Sequence, residues 1–308
     1  MPAYLEDLTI RLATGLGQLD EGRRERHANF FRSMQRADGG FRGRSDESDL
    51  YYTGFALRGL ALLGELGGAT AERATEFLAR QLGGNASVVD FLSLVYSGRL
   101  LEMSTGHDAF AAARADWARA TAEMLESLRR DDGGYAKGPE GAAGSTYHSF
   151  LVVLCRQLID APLIEPQRLA EFVLSQRRED GGFVEIRAMR RSGTNPTAAA
   201  IGLLKILDRL NDEVREDAID FLLDLQTDEG GLRANTRIPI ADLLSTFTGL
   251  LTLEDLGARF EVDRAELLGF VESLELPQGG FHGAAWDEGV DVEYTFYGLG
   301  ALALLQDV

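Results

Sequence analysis

The 308-residue chain is 45% hydrophobic and 26% charged, with a formal net charge of −18. That charge excludes nucleic acid as a partner and disfavours docking on an anionic membrane, because phosphates would repel it. The single Cys155 rules out an internal disulfide and a cysteine-rich zinc site, and no apolar stretch is long enough to span a bilayer.

The first twenty residues read as a helical extension. Their start, "MPAYLEDLTIRL", has no basic segment leading into an apolar run, so a cytoplasmic protein without a signal peptide is expected. From there the chain repeats. Gly-Gly pairs fall at 39, 83, 133, 181, 230 and 279, in steps of 44, 50, 48, 49 and 49 residues. They close phrases such as "QRADGGF", "RRDDGGY", "QRREDGGF" and "QTDEGGL", and "QLGGNAS" is the most divergent copy. Before each pair, stretches such as "AEFVLSQR" and "AIDFLLDLQ" space apolar residues by three and four, which predicts an outer amphipathic helix. The glycines are expected to end that helix as a left-handed cap. After a loop, an inner helix is predicted to open at Asp49, Asp90, Ser145, Gly193, Asp242 and Asp291, all residues suited to an N-cap. Runs such as "FLVVLC" and "FYGLGALALL" are apolar nearly all round and mark these helices as buried.

Six hairpins therefore give about twelve helices in one all-α domain over 1–308. The last repeat is as apolar as any other, whereas an open solenoid needs polar end repeats. A closed α/α toroid is the expected fold.

Three inner helices open alike, as "DLYYTGFALRGL" from Asp49, "DLLSTFTGLLTL" from Asp242 and "DVEYTFYGLGAL" from Asp291. The recurring Asp is either a helix cap or the remnant of a metal site, and the N-cap preference favours the cap.

"QRADGGFRGRSDESDLYYTGFALRGLALLG" and "LPQGGFHGAAWDEGVDVEYTFYGLGALALL" resemble the repeats of protein prenyltransferase β subunits, which share an α/α toroid with squalene and oxidosqualene cyclases. The resemblance spans all six repeats. It implies a catalytic zinc held by an Asp-x-Cys pair in the fifth repeat and a His in the sixth, and a separate helical α-subunit partner. The matching positions here are Asp242, Leu244 and Tyr294, so one ligand of three is kept. No zinc and no other cofactor is expected, and Mg²⁺ on Asp242, Asp291 and Glu293 is the less favoured alternative. Asp242, Asp291 and Tyr294 are retained as candidate catalytic residues. The Asp-x-Asp-Asp acid of class II cyclases and a DDxxD motif are both missing.

The same resemblance implies a diphosphate site. Its Arg and Lys positions fall on Thr236 and Pro239, with Arg237 beside them, and its His position falls on Gly193. Arg187 and Arg190 nevertheless stand six and three residues before Gly193, with Arg191 adjacent. Such a cluster ahead of a helix N-terminus suits phosphate. The other reading is a solvated loop whose arginines pair with surface acids.

His148 is the histidine expected on a buried inner helix, either as a hydrogen-bonded core residue or as a general acid or base. Tyr147 beside it is a candidate substrate contact. Cys155, two turns further on, lies too far away to act with His148. Trp286 and His282 are expected at the rim of a central funnel. Tyr51, Tyr294, Tyr297 and other aromatics at inner-helix starts would line it, or simply pack. The expected function is binding of an isoprenoid or isoprenoid diphosphate, with prenyl transfer that dispenses with the zinc site. A non-catalytic isoprenoid-binding or scaffold protein is the alternative.

Overall fold

A computed structural model describes residues 3–82, 87–113 and 115–306. The Gly83-Gly84 pair lies outside the described residues. Thirteen α-helices account for most of what is described, and the sheet content is one hairpin of two-residue strands plus isolated bridges. In chain order the elements are α1 (Tyr4–Gly15), α2 (Glu21–Ser33), β1 (Phe41–Arg42), β2 (Ser48–Asp49), α3 (Leu50–Leu62), α4 (Gly68–Gln81) and α5 (Val88–Thr105). Then follow α6 (Trp117–Ser127), α7 (Thr146–Leu158), α8 (Pro166–Ser175), α9 (Thr194–Ile206), α10 (Asp212–Leu223), α11 (Leu243–Asp255), α12 (Arg264–Ser273) and α13 (Val292–Leu305). After α1, the even-numbered helices are the predicted outer set and the odd-numbered ones the inner set.

The inner helices are held by one recurring device. Thr295 donates its hydroxyl to the Asp291 carbonyl at 2.7 Å, and its oxygen receives the Phe281 N–H at 3.3 Å. Thr246 does the same between Asp242 and Leu232, at 2.8 and 3.0 Å. Phe41 on Thr53, Tyr135 on Ser149 and Phe183 on Thr197 repeat the second bond at 2.8–2.9 Å. The side chains of Phe41, Tyr135, Phe183, Leu232 and Phe281 are fully buried, so their N–H groups need partners that water cannot supply. This explains why a hydroxyl recurs four residues after the cap.

The described chain forms two compact units, residues 1–117 with 271–308 and residues 118–270. In the first, α3 packs on α5 and α13, and α1 lies on α13 and α3. The first and last repeats are joined here. Gly279 meets the backbone of α2 at Arg26, Arg23 and His27 of α2 reach Glu275, and Arg44 reaches Asp287 and Asp291. In the second unit, α9 packs between α7 and α11.

Three expectations change. The described Gly-Gly pairs do not cap the outer helices: α10, for example, ends at Leu223, with right-handed Asp224 as its C-cap, while Gly230 comes later. The first glycine of the pair serves a turn instead. Gly230 has φ +90, and a Cβ there would sit 2.5 Å from the Glu266 carbonyl oxygen of α12, so the turn needs both its backbone freedom and its lack of side chain. Secondly, α5 is capped by Ser87 and not by Asp90. Ser87 Oγ accepts from the Asp90 N–H at 3.1 Å and donates to its carboxylate at 2.7 Å, which puts Asp90 inside the first turn. Thirdly, an outer helix also buries a histidine, His27 of α2, which is fully buried, while His148 lies on inner helix α7 as expected with its side chain 13% exposed.

Candidate functional site

In the first unit, α3 and α13 begin side by side, each capped by Asp. Asp49 accepts the Tyr52 N–H at 2.7 Å and Asp291 the Tyr294 N–H at 2.9 Å. Asp291 is 1% exposed, and its other oxygen takes Arg44 Nε at 2.8 Å. Arg44 also donates to Asp287 at 2.6 Å and lies over the Tyr294 ring, 5.3 Å from its centroid. Both oxygens of Asp291 are therefore committed.

One turn along, aromatic rings gather. Phe55 stands edge-on to Tyr51 and Tyr297, with centroids 5.0 and 5.3 Å away, and tilts against Phe296 at 5.5 Å. Arg58 covers Phe55 and Phe296 at 4.1 and 5.0 Å, with Nε bonded to the Gly54 carbonyl. Among these rings sits Glu293, whose Oε1 accepts the phenols of Tyr51 at 2.6 Å and Tyr297 at 3.2 Å. Burial pushes its carboxyl up, the Tyr51 bond opposes that, and the charge of Asp291 adds to it. The sequence reading gave Glu293 no role beyond a disfavoured Mg²⁺ site. Its only signal was an acid one residue before Tyr294 in an otherwise aromatic and apolar opening. Trp286 is 67% exposed at the tip of a turn over residues 284–287, and His282 faces the Gly289 carbonyl at 3.4 Å.

In the second unit, Ser145 caps α7 and contacts His148 Nδ1 at 2.8 Å. Glu185, from the loop of the next repeat, bonds Ser145 Oγ and lies 3.9 Å from His148 Nδ1, and its other oxygen accepts the Tyr147 N–H at 3.3 Å. His148 is thus largely buried and hydrogen-bonded, but it is not without a carboxylate, because the loop before α9 brings one near it. Tyr147 is exposed and stands edge-on to His148. Cys155 is fully buried, and burial pushes its thiol far up, so it is no nucleophile. Asp242 uses both oxygens on Ser245, for the N–H and the hydroxyl, each at 2.7 Å. Burial pushes its carboxyl up against those bonds.

Arg187, Arg190 and Arg191 are exposed in the loop before α9, and none makes an ion pair among the described residues. The expected pairing with surface acids is not what the loop shows. Arg178 holds this loop by donating to the carbonyls of Arg187 and Met189 at 2.9 and 3.1 Å. The N-terminus of α9 contributes less than expected to an anion site. The Thr194 N–H is bonded to the Ala234 carbonyl at 2.9 Å, and Pro196 has no N–H to offer. Arg237 is exposed at the corresponding turn of the next repeat.

The profile of the family described as "Prenyltransferase alpha-alpha toroid domain" matches residues 8–208 and 188–308. The chain belongs to the prenyltransferase alpha-alpha toroid family. Its mostly helical, six-hairpin build is that of an α/α toroid. The chain is 31% identical over 195 residues to protein farnesyltransferase subunit beta of Pisum sativum, an alignment covering 60% of this chain and 44% of the relative. It thus spans less than half of the pea protein. Candida albicans protein geranylgeranyltransferase-I, solved in complex with GGPP, superposes with a TM-score of 0.74 at 17% identity, covering 91% of this chain and 90% of the other. A variant of the type II terpene cyclase MstE from Scytonema, in complex with geranylgeranyl dihydroxybenzoate, gives 0.62 at 15% identity and covers 98% of both chains. At such identities the two structures speak for the toroid fold alone.

The zinc pattern implied by the resemblance does not fit this toroid's residues. Leu244 has no donor atom, both oxygens of Asp242 are taken by Ser245, and Tyr294 lies against the Arg44 guanidinium.

Proposed function

We propose that this toroid binds an isoprenoid or an isoprenoid diphosphate on its inner helices. Any prenyl transfer it performs dispenses with the Asp-x-Cys/His zinc site. The observation that carries this reading is the packed aromatic face of α3 and α13, where Tyr51, Phe55, Phe296 and Tyr297 adjoin half-buried Tyr52 and Tyr294. Phe55, Phe296 and Tyr297 are buried within it, so the half-buried rings of Tyr51, Tyr52 and Tyr294 are what it offers a branched, unsaturated hydrocarbon, through dispersion and ring-edge contacts. In the second unit, Arg187, Arg190 and Arg191 make no ion pair among the described residues and by themselves suit a phosphate group, since each guanidinium presents a fork of donors. Tyr147, His148, Arg237 and Trp286 are further proposed contacts. Support also comes from the neighbours, one holding GGPP and one a geranylgeranyl compound. The pea relative is named as a subunit, which supports a separate partner chain for this one too.

The misfit of the zinc ligands favours a second reading, a non-catalytic isoprenoid carrier or partner scaffold. Purified protein incubated with radiolabelled farnesyl or geranylgeranyl diphosphate and a mixture of thiol, alcohol and phenol acceptors should yield labelled product if transfer occurs. Bound isoprenoid in its lipid extract without turnover supports the carrier. Neither product nor bound isoprenoid removes both and leaves the scaffold.

A further inference from the structure

Glu293 differs from the other acids at its helix start. Asp291 has committed both oxygens, whereas only Oε1 of Glu293 is engaged, by the phenols of Tyr51 and Tyr297. Its Oε2 makes no hydrogen bond among the described residues, and the residue as a whole is half-buried. Arg58 attracts the carboxyl through space but forms no ion pair with it. Two phenols on one oxygen fix the direction of the group. The other oxygen is thereby an oriented acceptor set among rings, an arrangement that costs a ligand little reorganisation.

A diphosphate is the wrong occupant. Asp49, Asp287 and Asp291 lie at the same two helix starts, and Arg44 is already bonded to Asp287 and Asp291. Like charges so placed would repel it. A group that donates a hydrogen bond, or carries a positive charge, meets both the carboxyl and the ring faces favourably.

We propose that Glu293 Oε2 is the binding point for the hydrogen-bond-donating head of an otherwise apolar small molecule, an amine, alcohol or phenol, whose body lies against half-buried Tyr51. This goes beyond the isoprenoid reading and does not depend on it, since the rings require only an apolar body.

Calorimetric titration of the full chain with octylamine, 1-octanol and octyl methyl ether tests the proposal. The three share a body and differ in what the head can donate. The amine should bind tightest and the ether weakest, roughly 10-fold or more apart, as expected for a hydrogen bond to a charged group. Glu293→Gln keeps the shape and the phenol bonds and should bring the amine down to the level of the alcohol. Glu293→Leu should abolish the ranking. If the leucine variant melts early, the glutamine variant alone decides. Equal affinities for all three ligands, no binding of any, or a ranking that survives in Glu293→Gln would overturn the proposal. Geraniol in the same titration separates it from the isoprenoid reading. Geraniol binding no better than 1-octanol weakens that reading and leaves the Glu293 site standing, while tight geraniol binding without head discrimination does the reverse.

Discussion

Arg44 Nε donates to Asp291 Oδ2 at 2.8 Å, joining side chains 247 positions apart in the sequence. The bond links the first loop to the last inner helix and supplies the counter-charge for a cap that is 1% exposed. Arg44→Ala would leave that carboxylate buried beside Asp287 with no cation. Breaking a fully buried pair costs about 3–5 kcal/mol, and the exposure of Arg44 lowers the expected loss to about 1–3 kcal/mol. Asp46→Asn removes an exposed partner of Arg42 and should cost no more than a few tenths of a kcal/mol, as an order of magnitude. Chemical denaturation of the two variants checks the contrast. Equal losses would mean that the Arg44 bridge is merely superficial.

Glu275 should give the protein an acid-sensitive seam. Gly280 N–H donates to His27 Nδ1 at 3.2 Å, which leaves Nε2 to donate to Glu275 at 3.1 Å, and Arg23 adds its own bond at 2.9 Å. Burial pushes the carboxyl up, but the bonds from His27 and Arg23 outweigh it and hold it at about 2. A depressed folded value means stability that is fully present above the unfolded value of 4.5 and lost as pH falls through about 2. Glu275→Gln should cost about 2–3 kcal/mol at neutral pH, by the same linkage. The gap between wild type and variant should narrow between pH 4.5 and 2. Thermal melts across that range would show it, and a gap independent of pH would rule the seam out.

Two glycines separate turn geometry from helix propensity. Gly230→Ala forces a Cβ towards the Glu266 carbonyl at a φ of +90 and should destabilise by roughly 2–4 kcal/mol. Gly269, inside α12, has nothing within 4 Å of its would-be Cβ, so Gly269→Ala should be neutral or stabilise by about 0.5–1 kcal/mol. Opposite signs in urea midpoints are the expected outcome.

The period, the inner helices and most of their starts were legible because caps and all-round apolar runs are local signals. Asp90 misled because Ser87, three residues earlier, is an equally good cap and bonds it directly. Gly230 misled because a left-handed residue serves a helix cap and a free-standing turn equally well. The pairing of His148 with Glu185 was not readable, since the loop that delivers Glu185 belongs to the next repeat. Glu293 was harder still: Tyr51, which holds it, lies 242 positions away. Periodicity places helices, but it does not say which polar side chain is left with an open oxygen.

The donor set predicts how the protein responds to metals. With Leu244 and Tyr294 in two of the three ligand places, purified chain should carry far less than one zinc, and a chelator should leave its melting temperature unchanged. Stoichiometric zinc by elemental analysis, with anomalous scattering beside Asp242, would reverse this.

The arginine loop distinguishes a diphosphate ligand from its alcohol. Arg187, Arg190 and Arg191 have no counter-ion among the described residues, and Arg178 fixes the backbone that presents them. A hydrogen bond to a charged group contributes about 1.5–3 kcal/mol, and solvent exposure reduces that here. Replacing Arg187 and Arg190 together with alanine should weaken farnesyl diphosphate by about one to three orders of magnitude. Farnesol, which lacks the phosphates, should bind the variant as it binds the wild type. The difference should also shrink in high salt, because exposed guanidinium groups are screened over a Debye length of about 8 Å at physiological ionic strength. Arg130→Ala is the control, since Arg130 spends its donors on the carbonyls of its own loop, including Gly138 and Gly141. It should lower stability without touching the preference for diphosphate. If diphosphate and alcohol bind equally, and the double substitution changes neither, the three arginines do no more than decorate a loop.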